Sequence, residues 1–133
     1  MLLLWTLSIA GFYPTPPWDN VEELFWGGSF EWSYYKHPPL PSWLMGVLIH
    51  LGGRQPWLTY AAGVGCGVGA LYLVWRWSTA LVHPARAALA VLLGSLVTYH
   101  VQRAVVYNHN TVQLAFWVAF SALYSCQKLN MPL

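Results

Sequence analysis

All four acidic residues of the 133-residue chain, Asp19, Glu22, Glu23 and Glu31, fall in one stretch, Trp18 to Leu40, with apolar runs on both sides. A charge in hydrocarbon is costly, so carboxylates gathered between hydrophobic segments belong at a membrane surface and are candidates for function. The stretch closes on His37-Pro38-Pro39-Leu40. Two prolines fix φ and push the preceding residue toward extended geometry, so any helix must stop there. The stretch reads as a short helix followed by a rigid turn, both held outside the bilayer.

Charged residues make up 8% of the chain and hydrophobic residues 57%, whereas an average soluble domain is about 25% charged. Such a chain cannot cover a water-soluble surface. It reads as an all-α polytopic membrane protein, a single transmembrane domain over residues 1–133. No basic run exists, and no nucleic-acid partner is expected. Cys66 and Cys126 sit singly in apolar runs, as packed thiols do. The N-terminus lacks a basic region and a small-residue cleavage site, so it is a poor signal peptide.

Taken in order, residues 1 to 13 are apolar, but thirteen helical residues reach only about 20 Å of a hydrocarbon core of about 30 Å. Residues before Met1 are therefore expected. Asp19-Asn20-Val21-Glu22 fits a capping box, with Asp19 as N-cap and Glu22 at N3. Val21, Leu24, Phe25, Gly28 and Trp32 follow at helical spacing and predict one apolar face, on a helix lying along the membrane surface. Pro41 to Gly53 is short for a span and fits an interfacial or re-entrant helix. Trp57 to Trp75 is long enough to cross. Gly63, Gly65, Gly67 and Gly69 inside it form two interleaved GxxxG patterns, a close-packing face for a neighbouring helix. Their resemblance to a dinucleotide fingerprint fails because no strand precedes them. Arg76 to Arg86 reads as a loop, Ala87 to Val101 as a third span, and Thr111 to Cys126 as a fourth. The total is about four transmembrane helices plus an amphipathic external loop with interfacial helices. Lysines and arginines divide evenly between the two sides, so they do not set the orientation.

Three motifs carry chemistry, each with a plainer reading beside it. Asp19 and Glu22 either cap a helix, worth roughly 1 kcal/mol, or place a general base at the membrane edge. Lys36 and His37 either end an aromatic belt or donate hydrogen bonds to a phosphate. Tyr107-Asn108-His109-Asn110 is either a polar loop with Asn110 as an N-cap or a wall of the same outer cavity. His50, His83 and His100 pair with no ligand at helical spacing, so no metal or haem site is read from them.

The segment W-D-N-x-E-E-L-x-W…Y-Y-K-H-P-P-L-x-x-W-L resembles the first external loop of GT-C-class polyprenyl-phosphate-sugar glycosyltransferases. The Rgt-type lipopolysaccharide core transferases are most similar, with the aminoarabinose transferase of lipid A and protein O-mannosyltransferases more distant. Tyr107-Asn108-His109-Asn110-Thr111, with Leu114 and Trp117, is similar to a second stretch of the Rgt-type group. The resemblance implies a multi-pass enzyme of the bacterial inner membrane with its site on the periplasmic face. Such an enzyme moves a sugar from a polyprenyl-phosphate carrier to a lipid-linked or protein acceptor, with inversion. It implies Asp19 as catalytic base and makes Glu22, Lys36, His37, Asn108 and Asn110 substrate-binding candidates. No cofactor is assigned. Many members carry a second acidic residue where this chain has Asn108 and Asn110, so metal use stays open. Members also have many more helices, so the chain is expected to be the N-terminal part of such an enzyme and inactive alone. The alternative is a small non-catalytic membrane protein that packs on a partner through the Gly63 to Gly69 face.

Overall fold

The computed structural model describes residues 8, 10–13, 15–96 and 105–129. Five helices run through them: α1 (Trp18–Trp26), α2 (Pro39–Gly52), α3 (Trp57–Ser78), α4 (Pro84–Ser95) and α5 (His109–Leu129). No strand occurs among the described residues. α3 packs chiefly along α5, while α1 and α2 pair with each other across one end of that couple.

α3 is the one described helix both long and apolar enough to cross a membrane. Its 22 residues rise about 33 Å, enough for the hydrocarbon core. α2 has 14 residues and reaches about 21 Å, the short helix expected there. Pro39 and Pro41 stand in its first turn, where proline's missing N–H costs no helical bond. It ends at Gly53, whose φ of 74° closes the chain in a conformation glycine adopts freely.

Two expected spans change. α4 begins at Pro84 rather than Ala87, because a proline suits the first helical position and His83 Nδ1 accepts from the Ala85 backbone N–H at 3.3 Å. Residues 97–101 of that expected span lie outside the described residues, as do residues 1–7 of the first apolar run. α5 begins at His109 rather than Thr111 and has 21 residues, but Asn110, Gln113, Ser121, Gln127 and Lys128 dilute its apolar character. Of the four expected spans, one helix meets both criteria among the described residues.

The first helix departs most from expectation. It starts two residues early, with Pro17 rather than Asp19 at the N-cap and no side-chain cap. The Pro17 carbonyl accepts from the Asn20 and Val21 N–H groups, and Asp19 sits inside the first turn. The capping box is therefore absent. The apolar face read above points away from the protein core, as a helix lying along the membrane surface requires. Asn20 and Glu23 are 0% exposed, whereas Trp18 is 73% and Phe25 70% exposed. Val21 is exposed too, and only Leu24 of that set reaches the core.

The core gathers Met45, Leu58, Tyr107 and Val112 where α1, α2, α3 and α5 converge. Tight helix approach occurs at Gly27 and Gly46, not at Gly65, Gly67 or Gly69 of α3. A Cβ on Gly46 would lie 2.8 Å from the Gly27 carbonyl oxygen. At Gly65, Gly67 and Gly69 a Cβ would meet nothing within 4 Å. Large side chains on α4 and α5, including Leu92, Leu93, Phe116, Trp117 and Phe120, stand exposed. So much uncovered apolar surface is foreign to a water-soluble monomer and suits lipid or a further helix.

Candidate functional site

The polar face of α1 turns inward, onto the loop before α5 and the turn before α2. Asn20 makes the join. Its amide nitrogen donates to Thr59 Oγ1 and to the Val105 carbonyl, both at 2.9 Å, and its Oδ1 accepts from the Tyr107 N–H at 2.8 Å. Tyr107 in turn donates its hydroxyl to the Pro41 carbonyl at 2.8 Å. Burial pushes that phenol far above the usual tyrosine range, so it stays a donor.

This clamp brings Asn108 against Asp19. Asn108 Nδ2 donates to Asp19 Oδ2 at 2.7 Å. On the other side stands Lys36, whose Nζ is 2.8 Å from Glu22 Oε2 and 3.9 Å from Asp19 Oδ1. Glu22 Oε1 accepts from Trp18 Nε1 at 2.9 Å, which holds Glu22 along the helix surface. The hydrogen bond to Glu22 raises the Lys36 pKa above the usual lysine range; desolvation works against it and the Glu22 and Asp19 charges add to it. The ammonium is therefore charged at any physiological pH.

A second, buried cluster lies beside the first. Glu23 accepts from Ser42 Oγ at 2.6 Å through Oε2, and its Oε1 is 2.9 Å from His37 Nδ1. A buried carboxylate needs such partners, since desolvation without hydrogen bonds is prohibitive. The His37 ring meets Trp26 and His109 edge to face, at centroid distances of 5.4 and 4.7 Å. His109 Nδ1 is buried without a hydrogen-bond partner.

Five of the six expected site residues thus converge: Asp19, Glu22, Lys36, His37 and Asn108. Asn110 does not. Its side chain is exposed and accepts from Gln113 Nε2 at 3.2 Å, and the α5 N-cap is Asn108 instead. His37 faces Glu23, so of the two expected phosphate donors Lys36 is the accessible one. Asn20, Glu23 and Ser42 were not among the expected site residues, and His109 was read only as part of the Tyr107-Asn108-His109-Asn110 motif. For Asn20 and Glu23 a signal existed: with Gly27 they form an i, i+3, i+7 stripe of polar and small residues. In a membrane protein the polar stripe of a helix, not the apolar one, turns toward the protein.

Ligand atoms of Asp19, Glu22 and His37 lie within 4.8 Å of one another. Two carboxylates and an imidazole suit a divalent cation. Lys36 already supplies positive charge between the two carboxylates, and a metal would have to displace it.

Beginning at Pro38 and His109, the residues that follow His37 and Asn108, an apolar groove of 560 Å³ runs along α5. Pro38, Leu40 and His109 stand at its head, and Val112, Phe116 and Trp117 line it further down.

A family model described as dolichyl-phosphate-mannose-protein mannosyltransferase matches residues 36–129, well over half of the chain. The matched stretch takes in Lys36, His37 and Asn108 and leaves Asp19 and Glu22 just outside. No curated protein and no solved structure matches the chain.

Proposed function

Because the chain belongs to the dolichyl-phosphate-mannose-protein mannosyltransferase family, of GT-C type, we propose that it serves transfer of a sugar from a polyprenyl-phosphate carrier. The acceptor is a hydroxyl on a lipid-linked, lipopolysaccharide-type molecule or on a protein, at the periplasmic face of a bacterial inner membrane. The observation that carries this reading is one carboxylate and one ammonium side by side, Asp19 and Lys36, held by segments whose next residues, Pro38 and His109, line an apolar groove.

In the proposed reaction Asp19 Oδ1 takes the proton of the acceptor hydroxyl. The hydroxyl oxygen forms a bond to the anomeric carbon as the bond from that carbon to the phosphate oxygen breaks. The carrier leaves as a phosphate anion, and the sugar inverts. Lys36, a mobile point charge on a flexible stem, stabilises the departing phosphate. Glu22 holds Lys36 in place until substrate arrives. The groove takes the isoprenoid chain, whose apolar surface gains from leaving water. Its exposed wall at Phe116, Trp117 and Phe120 is open on one side, and residues 1–133 by themselves are proposed to be inactive for that reason.

The test supplies membranes holding the natural full-length protein with a polyprenyl-phosphate sugar and a candidate acceptor. Transfer that disappears in Asp19→Asn and weakens in Lys36→Met supports the reading. Transfer indifferent to both substitutions refutes it.

A further inference from the structure

We propose that Asn108 is a positioning residue for Asp19, and that it selects Asp19 Oδ1 as the oxygen that takes the proton. The proposal rests on the reading of Asp19 as base given above.

The Asn108 side chain is used at both ends. Its Oδ1 accepts from the backbone N–H groups of Asn110 at 3.0 Å and Thr111 at 3.2 Å, which makes it the N-cap of α5. Its Nδ2 donates to Asp19 Oδ2. The amide has one orientation only. Both backbone groups are donors and Asp19 is an acceptor, so a flipped amide would oppose donor to donor and oxygen to oxygen. Asn108 is 4% exposed, so water does not compete for these bonds.

A neutral donor against Oδ2 leaves the carboxylate its charge and occupies one of its two oxygens. The other, Oδ1, faces Lys36 at 3.9 Å, beyond hydrogen-bond reach, on a side chain that is 34% exposed. Oδ1 is thus the oxygen with room for an acceptor hydroxyl. An aspartate or serine at position 108 could still cap α5, because both are good N-caps. An aspartate has no donor for Oδ2, and a serine is too short to reach it.

That difference separates positioning from capping. If Asn108 only caps α5, Asn108→Ser and Asn108→Asp keep full transfer activity. If it positions Asp19, both lose kcat by about 10²-fold, the scale of a misplaced catalytic group, while KM for the carrier-linked sugar stays within about twofold. The measurement uses the natural full-length protein in nanodiscs, with circular dichroism checking helix content in each variant.

A second readout needs no turnover. Asp19 is the one aspartate among residues 1–133, so a difference spectrum against Asp19→Asn identifies its ¹³Cγ signal. In Asn108→Ser that signal moves at fixed pH as the hydrogen bond is lost. An unmoved signal overturns the proposal, and so does full kcat in the two Asn108 variants. Asp19→Asn tests the base separately: if it retains transfer, the base reading fails on its own while the ¹³Cγ shift still reports the contact.

Discussion

Glu23 Oε1 lies 2.9 Å from His37 Nδ1, and Glu23 has no solvent exposure. The pair ties α1 to the turn that precedes α2, and Ser42 Oγ extends the tie into α2 itself. Glu23→Ala removes the acceptor from two buried donors. Each stranded group costs roughly 1–3 kcal/mol, so the variant is expected to unfold several degrees below the parent. Glu23→Gln keeps an oxygen for Ser42 and is expected to fall between the two. Thermal unfolding in detergent decides it; an alanine variant that melts with the parent sinks the account.

Asp19→Asn is expected to lower transfer by about 10²- to 10⁴-fold, the usual contribution of a general base. The fold should hold, because Asp19 makes no capping hydrogen bond that the substitution could break. Membrane insertion and melting temperature near those of the parent, with transfer still within about twofold of it, would remove Asp19 from the chemistry.

Gly46→Ala and Gly67→Ala are expected to act in opposite directions. At Gly46 the new Cβ meets the backbone oxygen of Gly27 at 2.8 Å, and backbone cannot step aside cheaply. Overpacking of that kind costs about 1–3 kcal/mol. At Gly67 nothing lies within 4 Å, so alanine gains up to about 1 kcal/mol of helix propensity. Melting curves of the two variants give the sign directly. A loss at Gly67 would mean that another helix covers that face of α3.

Lys36 gives a pH dependence. Its pKa is raised above the ordinary 10.5, chiefly by the hydrogen bond to Glu22. A group whose folded pKa is raised stabilises fully below its unfolded value and loses that contribution as pH climbs through the folded one. The melting-temperature gap between parent and Lys36→Met is therefore expected to be constant through neutral pH and to close above about pH 10.5. A gap that persists at strongly alkaline pH contradicts the ion pair as its source.

Much of the site was legible from residue types. Asp19, Glu22 and Lys36 stand out because charges are so few, and Trp57 marks the start of α3 because a long apolar run follows the Pro56 boundary. The face that α1 turns toward the protein was not legible in its apolar spacing. Val21 and Phe25 were read as the face on the membrane and stand exposed, while the buried positions opposite, Asn20 and Glu23, were not read. Lipid reverses which face needs protein partners. Asp19 and Asn110 were read as caps from local spacing. Asp19 is instead held by Asn108, 89 positions away, and no local pattern reveals a contact at that distance. Asn108 rather than Asn110 caps α5 because the chain enters that helix two residues earlier than its apolar run begins.

That long separation has a consequence during biosynthesis. Asn20 finds its backbone partners at Val105 and Tyr107, and Asp19 finds Asn108, across 85 to 89 positions. At a synthesis rate of about 5–20 residues per second, α1 emerges roughly 4–18 seconds before any of these partners exists. Throughout that interval Asp19 lacks its amide partner and Asn20 its backbone partners, whereas Glu22 already has Lys36 and Glu23 already has His37 and Ser42. The proposed site is therefore started well before it is completed, and a ribosome stalled before residue 105 leaves α1 without its clamp.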